Sequence, residues 1–185
     1  MIRRVREVLE AGGEVWFGDE TSLREFPPLR AAWSRLGEQA EVIISGRNAR
    51  RTVVGFLNVL TGKLVRTVRQ RGRGEDIAAG VRTLGDAEVR RLLIWDNAPP
   101  HQARVARDAA EALGIEIVKL PFRSPELNPL EDLWRSLKAV VAANRVYGSV
   151  DELAERAVDY LDGLSEDDAL RLSGLLSSKF NWLPT

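Results

Sequence analysis

Residues 92–101 read LLIWDNAPPH and residues 115–134 read IEIVKLPFRSPELNPLEDLW, and the fold turns on how these two stretches end. The apolar run Leu92, Leu93, Ile94, Trp95 is short and uniformly hydrophobic, the pattern of a strand buried on both faces, and it stops at Asp96. Asn97, Ala98, Pro99 and Pro100 break the strand there, which sets a carboxylate at the carboxyl edge of a sheet, where ligands bind in open α/β folds. Asn128 followed by Pro129 is a helix start, with Asn as N-cap and Pro at the first helical position. Glu131 then falls in the first turn, able to face the edge on which Asp96 ends. Each residue also has a plainer reading: a strand-terminal Asp forms turns, and Asn128 with Glu131 fits a capping box.

Working outward, residues 2–11 read as a short helix ended by Gly12 and Gly13. Val15, Trp16 and Phe17 form a strand that runs through Gly18 into Asp19 and Glu20, a second strand ending in acid. Residues 29–36 allow a helical turn or two, and 41–45 a strand. Residues 52–60 and 63–69 make a hairpin about Thr61-Gly62. Helices are expected at 75–84, 102–113, from 129 to about 144, at 150–161 and at 166–176, with strands at 91–96 and 115–120. An early antiparallel hairpin followed by crossover helices predicts a mixed α/β sheet flanked by helices.

Composition narrows the chemistry. The 185 residues are 44% hydrophobic without a segment approaching a membrane span, and Met1 to Glu10 lacks the apolar middle of a signal peptide, which points to the cytoplasm. The chain is long enough for one well-buried core, and a single domain over 1–185 is the expectation. Zero Cys excludes disulfides and thiolate zinc sites, and one His excludes a His-rich metal centre, so any metal must be held by oxygen, which suits Mg²⁺ or Mn²⁺. Basic and acidic residues balance at 27 each, unlike a protein that grips nucleic acid over its whole surface. Arg47, Arg50 and Arg51, then Arg66, Arg69, Arg71 and Arg73, are nevertheless clustered, either as phosphate contacts or as solvated faces.

Three carboxylates at one sheet edge repel one another and raise one another's pKa unless a divalent cation neutralises them. Such a set suits two-metal phosphoryl transfer, with ions about 3.5–4 Å apart.

FGDET around Asp19, IWDNAPPH around Asp96 and LPFRSPELNPLEDLW around Glu131 resemble the catalytic domain of mariner-superfamily transposases, in the bacterial insertion-sequence branch. GRNARRTVVGFLNVLTGKL fits as well, and 34 residues separate Asp96 from Glu131, the family's hallmark interval. The resemblance implies a ribonuclease-H-like fold and an Asp19, Asp96, Glu131 triad that binds two Mg²⁺ or Mn²⁺ ions, Asp96 bridging both. It implies DNA as partner, transposon ends and target alike, with a homodimer in the active assembly. Asn97 and His101 match the motif after the second acid and are expected as DNA contacts; for His101 the alternatives are an ordered water, or a bond to the backbone at a helix start. Asn128 and Pro129 are expected to fix the helix that presents Glu131, and Trp134 to be core. Family members carry helix-turn-helix DNA-binding modules ahead of this domain, and the eighteen residues before Asp19 are too few for them. Two functions are therefore expected: a metal-dependent DNA endonuclease and strand transferase, or a truncated remnant that binds DNA or assembles without catalysis.

Overall fold

The structure, a computed structural model, describes residues 1–31, 33–38, 41–42, 46 and 48–183. Five strands form one mixed sheet: β1 (Glu14–Arg24), β2 (Arg50–Asn58), β3 (Leu64–Arg69), β4 (Arg91–Trp95) and β5 (Ile115–Lys119), in the order β3-β2-β1-β4-β5. The hairpin side is antiparallel, and β1, β4 and β5 run parallel. The helices are α1 (Ile2–Glu10), α2 (Gly74–Arg82), the single turn α3 (Pro99–Gln102), α4 (Arg104–Ala112), α5 (Pro129–Val141), α6 (Val150–Asp162) and α7 (Glu166–Leu172).

Strand alternation sorts the core into two layers. Val15 and Phe17 of β1, with Leu92 and Ile94 of β4, pack under α1, α5, α6 and α7; Trp16, Leu93 and Trp95 face the opposite way, against α2 and α4. Every residue of β4 is buried, as its unbroken apolar run requires of a central strand. Among the described residues no helix is long and apolar enough to cross a membrane.

Several expected boundaries move, each for a visible reason. The apolar run of β1 ends at Phe17, yet the strand continues to Arg24, because β2 pairs with it along its whole second half while β4 stops at Trp95. Asp19 therefore lies within β1 and not at its end. The helix expected at 102–113 is broken at Ala103, whose ψ of 136° interrupts the helical path, and the Pro-started turn α3 precedes it. The described residues of 29–36 form no helix. Of the strand expected at 41–45, residues 43–45 lie outside the described residues, and 41–42 join no ladder.

Candidate active site

The parallel ladder between β1 and β4 ends at the pair Phe17 and Ile94. Two residues further along each strand stand Asp19 and Asp96, in equivalent positions past the last pair. By alternation they belong to the face of Phe17 and Ile94, the one covered by α5. Asn128 caps α5, its Oδ1 accepting from Leu130 N at 3.2 Å. Its Nδ2 also donates to Gly18 O at 3.4 Å, which ties the start of α5 to β1 one residue from Asp19. The cap works without the reciprocal bond that would make Glu131 part of a capping box. Glu131 is exposed and joins Asp19, Asp96, Asn97 and Asn128 around a cavity of 270 Å³. The residues expected to converge from three distant segments thus share one cavity.

Asp19 is 9% exposed, and Trp134 Nε1 donates to its Oδ2 at 3.0 Å. The indole reaches it by lying across Gly55, which is paired with Asp19 on β2; a Cβ there would sit 2.6 Å from the Trp134 ring. Burial, then the charge of Glu131, then that of Glu20 push the Asp19 carboxyl up to about 8. Trp134 is core, as expected, but it also supports Asp19.

Asp96 is held differently. Its Oδ1 accepts from Ala98 N at 2.8 Å, so the plain turn-forming reading is true as well, and from His101 Nδ1 at 2.6 Å. The His101 bond holds the Asp96 carboxyl below the usual range, against the opposing effect of its partial burial. Both bonds fall on Oδ1.

His101 is 2% exposed, with its ring stacked on Trp95 at 4.9 Å and 5°. Its Nε2 stands 2.8 Å from Glu20 Oε2, an ion pair by distance rather than an aligned hydrogen bond. Burial works against a charged imidazole here, but Asp96 and Glu20 on either side outweigh it and push His101 up to about 9. In place of the backbone bond open to it at a helix start, the His101 ring is turned inward by stacking and two carboxylates. Asn97 donates through Nδ2 to Leu120 O at 2.8 Å and fixes the loop after β5 against the cavity rim.

The donor set fits a hard divalent cation, since Asp19, Asp96 and Glu131 offer only carboxylate oxygens, and an ion beside them would offset the burial of the Asp19 charge first and its repulsion by Glu131 and Glu20 second. Among the described residues the acids line the cavity without closing on one point.

The arginines divide. Arg51 pairs with Asp151 at 2.7 Å, and Arg66 pairs with Asp162, so α6 neutralises part of both clusters. Arg47 lies outside the described residues. Arg50 is exposed and stands directly across the ladder from Arg24, and with Arg51 and Arg71 they border an open cleft of 470 Å³. Like charges paired across strands are unfavourable without a counter-ion. Arg24 escaped the sequence reading because it lies alone in the chain; Glu20 was read only as an acid beside Asp19, and its pairing with His101 follows from its register, which turns it to the opposite face.

A protein-family model described as DDE superfamily endonuclease matches residues 14–154. The chain is 25% identical over 169 residues to an insertion element IS630 uncharacterized 39 kDa protein of Shigella sonnei, covering 89% of this chain and 49% of that protein. Among solved structures it is similar to the Mos1 mariner paired end complex with Mn, with TM-score 0.69 and 16% identity over 98% of this chain and 59% of that one. It is also similar to the Mos1 transposase paired-end complex with left transposon end, with TM-score 0.67 and 16% identity over 98% and 60% of the two chains. At such identity these likenesses speak for the fold, which is that of the Mos1 catalytic domain. The chain spans about half the length of the curated relative it matches. With the family model covering most of its length, the chain belongs to the DDE superfamily endonuclease family.

Proposed function

We propose that residues 1–185 act as one catalytic domain of a transposase, with Asp19, Asp96 and Glu131 as the carboxylates that hold two Mg²⁺ or Mn²⁺ ions. The observation that carries this reading is the single cavity shared by three acids from β1, the end of β4 and the start of α5. Mn in a solved relative of the same fold supports the choice of metal, and a transposon end in another supports DNA as partner. When bound, the ions supply the positive charge that lets a phosphodiester approach three carboxylates and that stabilises charge on the attacking and leaving oxygens.

In the reaction, water attacks phosphorus and the bond to the 3′ oxygen breaks. That oxygen gains a proton to become a 3′-hydroxyl, and the phosphate stays on the 5′ side. In strand transfer the freed 3′-hydroxyl attacks a target phosphodiester, loses its proton and displaces the target's own 3′ oxygen. The chain's part is positioning. Trp134 holds Asp19 through Oδ2, and His101 with Ala98 holds Asp96 through Oδ1. Asn128 fixes the helix start that carries Glu131. Arg50 and Arg51, with Arg47, steer the DNA backbone without reading sequence. The protein works as a homodimer in the active assembly and, with DNA as substrate, in the cytoplasm.

A plasmid assay tests the reading. Supercoiled DNA at low salt with Mn²⁺ is nicked by the parent protein, and Asp96→Asn and Glu131→Gln each abolish nicking. If both variants nick as fast as the parent, the non-catalytic alternative, a module that binds DNA or assembles only, replaces this one.

A further inference from the structure

Part of the cavity lining is built by the connection between β5 and α5, and two of its residues are out of the ordinary. Phe122 is 76% exposed although it borders the cavity. Arg123, next to it, has a φ of 57°, a left-handed conformation that non-glycine residues rarely adopt and that clusters at functional sites. Its guanidinium Cζ lies 5.5 Å from the centroid of the Phe122 ring. Among the described residues Arg123 has no carboxylate partner, unlike Arg51 and Arg66. Pro121 before the pair and Pro125 after it restrict the backbone on both sides.

A ring left in water over a cavity, backed on one side by a free cation, has the two parts that recognise a nucleotide: a flat apolar surface for a base and a positive charge for its phosphate. The ring protrudes from a rim, so a base can lie on it only once it has left the duplex stack, since bases inside a duplex have both faces covered. The surrounding charge favours this orientation as well. Asp19, Asp96 and Glu131 make part of the lining acidic, and among the described residues Arg123 is the one cation of that lining. We propose that Phe122 and Arg123 form a stacking platform that seats an unpaired base beside the scissile phosphate, with Phe122 under the base and Arg123 on the adjoining phosphate. The inference rests on the proposed endonuclease reading, because it takes DNA as the occupant.

The test is a binding measurement with cleavage switched off by calcium in place of magnesium. Two fluorescein-labelled probes are compared at fixed salt: a fully paired 20-base-pair duplex, and the same duplex carrying a four-nucleotide single-stranded 3′ tail. The parent binds the tailed probe more tightly. Phe122→Ala weakens the tailed probe by about tenfold or more, the scale of one lost base–aromatic stack, and changes the paired probe less than twofold. Phe122→Trp, which keeps a platform, retains the tail preference. Arg123→Ala lowers the salt dependence of tailed-probe binding by about one counter-ion. A parent without tail preference, or a Phe122→Ala protein that weakens both probes equally or neither, overturns the platform. Because no strand is cut, these outcomes are separate from the nicking assay: full nicking by Asp96→Asn would sink the catalytic reading and leave the tail preference to be judged by itself.

Discussion

Asn in place of Asp19 should make the metal-free protein more stable, and only at neutral to alkaline pH. The Asp19 carboxyl is 9% exposed and is pushed from 3.8 to about 8 by burial, by Glu131 and by Glu20. In the window between those values the folded state holds a proton that the unfolded chain has released, so stability falls as pH rises from about 4 to about 8 and is level above that. Fully expressed, the displacement corresponds to about 6 kcal/mol. The cavity beside Asp19 admits water and raises the effective dielectric, so about half, or 2–3 kcal/mol, is expected in practice. Asn removes the charge while its side-chain oxygen still accepts from Trp134 Nε1. His101 works in the same direction: raised from 6.5 to about 9, it contributes stability that is full below 6.5 and lost as pH climbs toward 9. Comparing variant and parent at each pH cancels most of that contribution. Thermal melts in EDTA should then show Asp19→Asn melting about 5–10 °C above the parent at pH 8, with the gap closing toward pH 4. A variant no more stable than the parent at pH 8, or equally favoured at both ends, would refute the account of Asp19 as a carboxylate whose charge is disfavoured by burial and by its acidic neighbours.

Mg²⁺ or Mn²⁺ should raise the melting temperature of the parent, because an ion that binds only the folded state stabilises it by mass action; an equal rise in Asp96→Asn would place the ion elsewhere. Gly55→Ala should cost about 1–3 kcal/mol in urea denaturation, since the new Cβ meets the Trp134 ring at 2.6 Å. Adding Trp134→Phe should recover little of that cost, because the buried Asp19 oxygen then loses its donor, and a double variant as stable as the parent would contradict the packing described. His101→Gln, which can still donate to Asp96, should nick plasmid better than His101→Leu, which cannot; equal activities would mean that His101 only fills space beside Trp95.

The parts of the site that local chemistry dictates were legible in the chain. An apolar run cut off by Asp96 and two prolines has few outcomes besides a buried strand ending in acid, and Asn128-Pro129 can hardly be anything but a helix start. Asp19 was legible as an acid after a strand but not as a residue within one. The extension to Arg24 depends on hydrogen bonds from β2, and no pattern in residues 18–24 announces that partner. The partners of the clustered arginines were not legible for a similar reason. Asp151 and Asp162, which neutralise Arg51 and Arg66, lie about a hundred residues away on a helix whose docking position only the assembled sheet defines.

The second layer around the acids shows where sequence reasoning runs out and why. His101 stands five residues from Asp96, yet its place between Asp96 and Glu20 follows from three conditions at once: the turn α3 bends it back, Trp95 offers a ring to stack on, and Glu20 faces that side of the sheet because it is one residue out of phase with Asp19. Trp134 reaches Asp19 only because Gly55, on a third element, leaves room. Each contact joins residues whose spacing in the chain carries no information about their meeting. Both place a buried donor on one carboxylate oxygen and so fix the direction of a charge that would otherwise be free to turn. The acids identify the chemistry; their direction comes from neutral and cationic partners set by register and packing, and variants at those partners are the sharper probe of whether the cavity is built to catalyse.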